Sequence, residues 1–189
     1  MIMPPAARKL ALTLHVTASV GWLGAVAAFL ALAVVGVTSP DDRIVRGAYL
    51  VMEPAARLIL LPLAYASLIT GLIQSLGTTW GLFRHYWVLF KLVINAVATV
   101  ILTTYMATFR HMAGVAADPA VDLSAVRNAS PVLHATLALF VLLVATVLAI
   151  YKPRGVTPYG WRKQRDERAA PRPPAAVPSS SSATSATIG

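Results

Sequence analysis

Four long apolar stretches limit what this chain can fold into. They run over residues 10–37, 58–76, 86–109 and 131–151, and each is about as long as the roughly 20 helical residues that cross a hydrocarbon core. Their apolar residues are continuous, whereas the strands of a membrane barrel alternate apolar and polar positions. The sequence therefore predicts an all-α fold, a four-span bundle of transmembrane helices.

The composition excludes several other classes of protein. Of the 189 residues, 57% are hydrophobic and only 12% are charged, which is about half the charged fraction of a typical soluble domain. Such a chain has too little polar surface to cover a globule in water, so an ordinary soluble enzyme and a disordered chain are excluded. A secreted disulfide scaffold is excluded because the chain contains no cysteine.

The distribution of positive charge predicts the orientation in the membrane. If both termini lie in the cytoplasm, the cytoplasmic segments hold ten Lys and Arg residues and the outer loops hold five, with Lys91 inside the third stretch. Cytoplasmic loops of membrane proteins are the more positive ones. We therefore expect a multi-pass protein of the cell membrane, the inner membrane of a bacterium, with cytoplasmic N- and C-termini.

The segment between the first two stretches has the features of a helix of its own. Ser39, Pro40 and the acids Asp41 and Asp42 are typical of a helix start. The apolar residues that follow recur at helical spacing between charged ones. The pattern predicts a short amphipathic helix that lies on the outer membrane surface and ends near Pro54.

The chain changes character near residue 160. Residues 1–160 are predicted to form the transmembrane domain, and residues 161–189 a cytoplasmic tail. The tail begins with a basic segment and continues as a tract rich in Pro, Ser and Ala, which predicts disorder. The basic part is expected to contact anionic lipid headgroups, and no nucleic acid is expected as a partner.

Polar side chains within the apolar stretches are the candidate site residues, because a membrane makes them costly. His15, Gln74 and Lys91 all fall in the cytoplasmic third of their helices. Together they predict a small polar pocket, open to the cytoplasm, for a cofactor, a quinone headgroup or a proton. The alternative is a packing role, in which Lys91 reaches the headgroups while Asn95, Gln74 and His15 form hydrogen bonds between helices.

Histidine and methionine raise two cofactor hypotheses. The candidate cofactor-binding residues are His15, His85 and Lys91. A haem held by two imidazoles would use His15 with His85, or His111 with His134. A Cu(I) site would use imidazole and thioether ligands of the outer half, but the spacing contains no ligand motif, so no metal ligand is predicted. Its possible members are Met52, Met106, Met112, His111 and His134.

Three strings resemble a known group of proteins. HVTASVGWLG (residues 15–24), LGTTWGLFRHYWVLFK (residues 76–91) and YKPRGVTPYG (residues 151–160) resemble small bacterial four-helix membrane proteins grouped as a domain of unknown function. The resemblance covers roughly residues 9–160 and implies the same four-span bundle, without an activity or a residue role. The His-x6-Trp-Leu-Gly pattern that begins at His15 is also similar to the first helix of copper-resistance-type membrane proteins.

Three functions stay open at this point. The first is a non-enzymatic membrane component that acts through helix packing, as a homo-oligomer or with a membrane protein partner. The second is a haem- or copper-binding redox membrane protein. The third is a small transporter that uses the polar pocket. An enzyme is not favoured, because the chain contains no phosphate-binding loop, zinc protease motif or nucleophile elbow.

Overall fold

The computed structural model of the protein describes residues 3–77, 81–153 and 155–169. Within them, four helical stretches are long and apolar enough to cross a membrane, so the predicted all-α, four-span fold is confirmed. A π-helical segment, Ala56–Leu60, joins the second and third helices. The helices are α1 (Pro5–Thr38), α2 (Asp42–Ala55), α3 (Leu61–Gly77), α4 (Tyr86–Ala117), α5 (Ser130–Tyr151) and α6 (Pro158–Ala169).

Helices α1, α3, α4 and α5 form an antiparallel four-helix bundle. Helix α1 packs against α3 and α5, and α4 packs against the same two helices from the opposite side. The end of the bundle at which α1 and α4 begin and α3 and α5 finish is called the terminal end below. The opposite end, where α2 packs against α1 and α4, is called the α2 end.

Large side chains fill the half of the bundle near the α2 end. Phe109 makes edge-to-face contacts with Phe29 and Tyr105, with ring centroids 5.0 and 4.9 Å apart, a geometry that stabilises each pair by about 0.5–1.5 kcal/mol beyond area burial. The buried residues of α4 run from Thr99 to Ala116. This half is therefore a closely packed core, and the polar residues of the other half face a different environment.

The amphipathic helix predicted after the first stretch exists as α2. Its N-cap is Asp41, whose carboxylate accepts a hydrogen bond from the Arg43 amide, so the predicted capping by the Ser39 hydroxyl is wrong. Helix α2 ends at Ala55, next to Pro54 as predicted, but the helical backbone continues through the π-helical segment into α3 as one 36-residue stretch. The wider π turn lies between Pro54 and Pro62, two residues that cannot donate to a helical hydrogen bond.

Part of the apolar face of α2 packs against the protein. Val45, Ala48, Tyr49 and Met52 are buried against α1 and α4, and α4 extends past its predicted end to Ala117. Ile44 and Val51 are exposed, and the position of the helix at the outer membrane surface stays a prediction. Periodicity shows that a helix has an apolar face, but the neighbours that cover the face are set by the lengths of the adjacent helices.

Arg46 of α2 forms hydrogen bonds with the backbone at the end of α4. Its guanidinium donates to five backbone carbonyls, at distances between 2.7 and 3.4 Å. A helix leaves its last carbonyls without intrahelical donors, and a cation there also interacts favourably with the helix dipole. Arg46 thus attaches the loop after α4 to α2. The acceptors are Val115, Ala116, Asp118, Pro119 and Val121.

The basic segment after α5 begins as a helix that the sequence analysis did not predict. Helix α6 includes residue 160, so the predicted domain boundary falls inside it. Thr157 donates its hydroxyl to the carbonyl of Phe83, and its amide donates to the carbonyl of Arg84 at 3.1 Å. These bonds hold the start of α6 against the link between α3 and α4. The Pro/Ser/Ala-rich part of the predicted tail lies outside the described residues.

Candidate functional site

A cavity of about 710 Å³ lies between α1, α3, α4 and α5 in the terminal half of the bundle. It is within the range of about 300–1,000 Å³ that small-molecule sites occupy. Side-chain size explains its position: the inward positions that hold aromatic rings near the α2 end hold small side chains here. The small lining residues are Ser19, Ser67, Gly71, Ser75, Ala145, Thr146 and Ala149.

A chain of hydrogen bonds crosses the wall of this cavity from α1 to α4. The hydroxyls of Ser19 and Ser67 are 2.8 Å apart, and Nδ2 of Asn95 donates to Oγ of Ser67 at 3.0 Å. Thr99 donates to the Asn95 carbonyl at 2.8 Å. These bonds satisfy polar groups that lipid cannot satisfy, and they link three helices at one depth.

His15 is held in a defined orientation on the same wall. Its Nδ1 is 3.1 Å from Oγ1 of Thr70, and that hydroxyl donates its proton to the Ala66 carbonyl at 2.5 Å. Because the hydroxyl proton is used, the threonine oxygen accepts, and Nδ1 of His15 is the donor. In the neutral ring, Nε2 then carries the lone pair and is available as an acceptor for a ligand.

Lys91 supplies the charge on the cavity wall. It is half-buried, and its Nζ lies 5.5 Å from the ring centroid of Trp87, a cation–π contact. None of the described residues that line the cavity is acidic. Gln74 lines the cavity as well, and the three predicted pocket residues, His15, Gln74 and Lys91, are thus brought together.

Three more cations line the cavity at the terminal end of the bundle. Arg8 and Lys9 come from the first turns of α1, and Lys152 follows the last residue of α5. All three are exposed. Together with Lys91 they place four positive side chains around one cavity, and the positive potential of such a cluster is strengthened by a low-dielectric surrounding. The arrangement is suited to an anion.

Trp22 lies at the other, closed end of the cavity. The residue is 2% exposed, it lines the cavity, and its Nε1 has no hydrogen-bond partner among the described residues. Buried N–H groups are almost always paired. The indole therefore offers one donor to an acceptor atom inside the cavity.

His85 is not part of this site. It precedes α4 as the N-cap residue and forms a backbone bridge with Val156, and its ring centroid is 6.4 Å from that of Trp87. It does not line the cavity, so of the three candidate cofactor-binding residues only His15 and Lys91 do. The sequence correctly placed His85 at the terminal end of the bundle. In the structure it lies before α4 and pairs with Val156, in the segment before α6.

The other candidate ligands lie far from the cavity, near the α2 end. Nδ1 of His134 is 2.8 Å from the Ser130 carbonyl, and its ring packs on Tyr105 with centroids 4.4 Å apart. His111 is exposed. In the described part of the chain, no three His, Asp or Glu side chains come together in a group that could hold a metal ion. Three methionines, Met52, Met106 and Met112, are buried in the core.

Sequence reasoning did not identify the contribution of α5 and of the terminal cations. Ala145 and Ala149 are four residues apart on the α5 face that lines the cavity, and Gly71 and Ser67 repeat that spacing on α3. Small residues at helical spacing indicated that these helix faces carry little side-chain volume. Nothing in the sequence, however, showed that these faces meet around one space instead of packing together.

The described geometry stands without support from known relatives. No family model, no curated protein and no solved structure matches this chain. The resemblance to small four-helix membrane proteins of unknown function therefore stays a prediction.

Proposed function

We propose that this chain is a non-enzymatic integral membrane protein that binds an anionic small molecule. The binding site is the cavity in the terminal half of the bundle, called the terminal cavity below. In this proposal Lys91 is the principal charge partner of the anion, and His15 and Gln74 contribute neutral polar contacts. Arg8, Lys9 and Lys152 attract the anion to the same end of the bundle.

The position of Lys91 is the observation that carries this proposal. Lys91 is the sixth residue of α4, so its insertion cost is below the roughly 2.5–3.5 kcal/mol of a lysine at a helix centre, and headgroup contacts could reduce it further. Its side chain, however, lines a cavity that contains three other cations and no described carboxylate. A bound anion would compensate the charge of Lys91, for which no acidic side chain is present among the described lining residues.

Purification with mild detergent tests the proposal. Anionic molecules that co-purify with the full chain are identified by mass spectrometry, and the same preparation is made from Lys91→Met and Lys91→Arg. Losing a hydrogen bond to a charged group costs about 1.5–3 kcal/mol, or roughly a 10- to 100-fold loss in affinity. We expect the anion to be lost from Lys91→Met and retained by Lys91→Arg.

Lys163→Met is the matched control, because Lys163 is an exposed lysine of α6 that does not line the cavity. It removes the same charge from the chain and is expected to retain the anion. Equal retention by Lys91→Met and the wild-type chain, or an equal loss from both methionine variants, would contradict a specific role for Lys91.

The same preparation separates the alternatives. A haem protein would have a Soret band, and a copper protein would contain the metal by elemental analysis. A small transporter would bind the anion as proposed and also move it across vesicles, so flux assays with Lys91→Met extend the test. A homo-oligomer or a membrane protein partner stays a prediction that crosslinking in native membranes addresses.

We propose further that both termini are cytoplasmic and that α6 contacts anionic headgroups. The positive residues of the terminal end and the exposed Tyr159, Trp161 and Arg165 of α6 support this arrangement, since aromatic rings and cations are typical of the cytoplasmic membrane interface. Labelling of single cysteines with an impermeant thiol reagent tests the orientation. We expect a cysteine at Lys163 to be protected in intact cells and one at Ser124 to be labelled.

A further inference from the structure

We propose that the anion bound in the terminal cavity is a lipid, which enters from the bilayer through a gap between α1 and α5. The inference rests on the proposed function, because it assigns a chemical class and an entry route to the molecule that Lys91 binds.

Burial is low on both helices near the terminal end. Helix α1 buries no residue before Ala18, and α5 buries none after Leu142. In this half of the bundle neither helix is therefore covered by a closely packed neighbour. Small residues on α5, at positions 145 and 149, widen the space between them.

The exposed apolar residues that line the cavity belong to α1 and α5. Leu12, Val16 and Val20 of α1 are 51%, 49% and 62% exposed, and Ile150 of α5 is 69% exposed. The lining residues of α3 and α4 are buried or half-buried, so the wall of the cavity is most open between α1 and α5. All four lie within the apolar stretches, so in a membrane this opening faces hydrocarbon and not water.

The chemistry of the opening matches an amphiphile with one charged end. Its walls are aliphatic along the spans, and its cations stand at the terminal end, where Lys152 leaves α5 and Arg8 enters α1. Lys91 lies about 8 Å along the axis from the start of α4 at 1.5 Å per residue, below those cations. An anionic lipid would place its charged headgroup between those cations and Lys91, with an acyl chain in the gap. A water-soluble anion would use the cations but not the aliphatic walls.

Fluorescence quenching by brominated lipids tests this proposal. The full chain is reconstituted in nanodiscs of phosphatidylcholine that contain phosphatidylglycerol, and the bromine is placed on the acyl chains of one lipid or the other. The signal of Trp22 is the difference between the wild-type chain and Trp22→Phe. Because Trp22 is buried at the closed end of the cavity, bromine on a chain inside the cavity quenches it more than bromine in the surrounding lipid does.

We expect brominated phosphatidylglycerol to quench Trp22 more strongly than brominated phosphatidylcholine at the same content. Ala149→Phe fills the gap and should abolish this headgroup-dependent part, and Ala149→Leu should reduce it with a smaller change in volume. Val147→Phe is the matched control, since Val147 is exposed on α5 and does not line the cavity. Far-UV circular dichroism and the elution volume establish that each variant is folded.

Equal quenching by the two lipids, or quenching that Ala149→Phe and Val147→Phe leave equally intact, would overturn the lipid proposal. The proposed function fails by a different result, namely retention of the co-purified anion by Lys91→Met. If Lys91→Met loses that anion while Trp22 shows no preference for phosphatidylglycerol, the cavity binds a water-soluble anion, and only the inference about lipid entry is wrong.

Discussion

Close packing against Tyr49 excludes a side chain at Gly36, near the α2 end. A Cβ atom at this position would lie 2.6 Å from Cε1 and 3.1 Å from Cζ of Tyr49. Tyr49 is buried, and its hydroxyl donates to the Gly36 carbonyl at 3.1 Å. The glycine is therefore required by the close approach of α1 to α2 and not by a special backbone angle.

We expect Gly36→Ala to destabilise the protein by about 1–3 kcal/mol, because overpacking forces the Tyr49 ring out of its position. Thermal unfolding in detergent, followed by circular dichroism, measures the loss. Gly24→Ala is the control: no atom lies within 4 Å of the added carbon, and alanine is the better helix former by about 1 kcal/mol. A lower unfolding temperature for Gly24→Ala than for Gly36→Ala would contradict this account.

At this scale the sequence predicted part of the site. His15, Gln74 and Lys91 were recognised because polar side chains are conspicuous in an apolar stretch, and the structure brings all three to one cavity. The donor role of Nδ1 in His15 was not predictable. It depends on Thr70 of another helix, whose hydroxyl proton is already donated to a carbonyl.

The link between α2 and the end of α4 depends on Arg46. We expect Arg46→Met to leave the carbonyls after α4 without a donor and to destabilise the loop at 118–121 by about 1.5–3 kcal/mol. Hydrogen exchange of the loop amides should become faster. Arg46→Lys should give an intermediate rate, because an ammonium cannot reproduce the planar fork of a guanidinium.

Arg43→Met is the control for that experiment. It removes a positive charge from the same helix at an exposed position, and loop exchange should stay at the wild-type rate. Equal acceleration in the Arg43 and Arg46 variants would mean that net charge, and not the bonds to the carbonyls, orders the loop.

Helix type and location were predictable at the scale of elements, and helix ends were so only in part. The apolar stretches marked four spans, and α2 ends at Ala55, close to Pro54 as predicted. The sequence did not predict that the helical backbone continues through a π turn into α3. Likewise α4 extends to Ala117, beyond the predicted residue 109, because α2 packs along its last turns.

The start of α6 connects the chain after α5 to the rest of the molecule. A Cβ atom on Gly160 would lie 2.5 Å from the Arg84 carbonyl oxygen, so this contact does not tolerate a side chain. We expect Gly160→Ala to detach α6 from the link between α3 and α4, and trypsin should then cleave after Arg162 and Lys163 faster than in the wild-type chain.

Gly155→Ala is the control for this prediction, since its added carbon would meet Tyr86 at 3.6 Å, an ordinary contact distance. Cleavage in α6 should stay slow. If both alanine variants are cleaved at the wild-type rate, the contact at Gly160 does not hold α6 in place.

For the molecule as a whole, the sequence by itself determined the class of the protein, since apolar runs of this length have few stable arrangements other than helices in a bilayer. It also determined which residues of three helices share a depth, because the rise of a helix is constant. Only the tertiary structure decided which helices are neighbours, that one face of α2 packs against α1 and α4, and that small side chains line a cavity between four helices. Those outcomes depend on contacts between residues far apart in the chain, such as Ser19 with Ser67, and no local periodicity contains them.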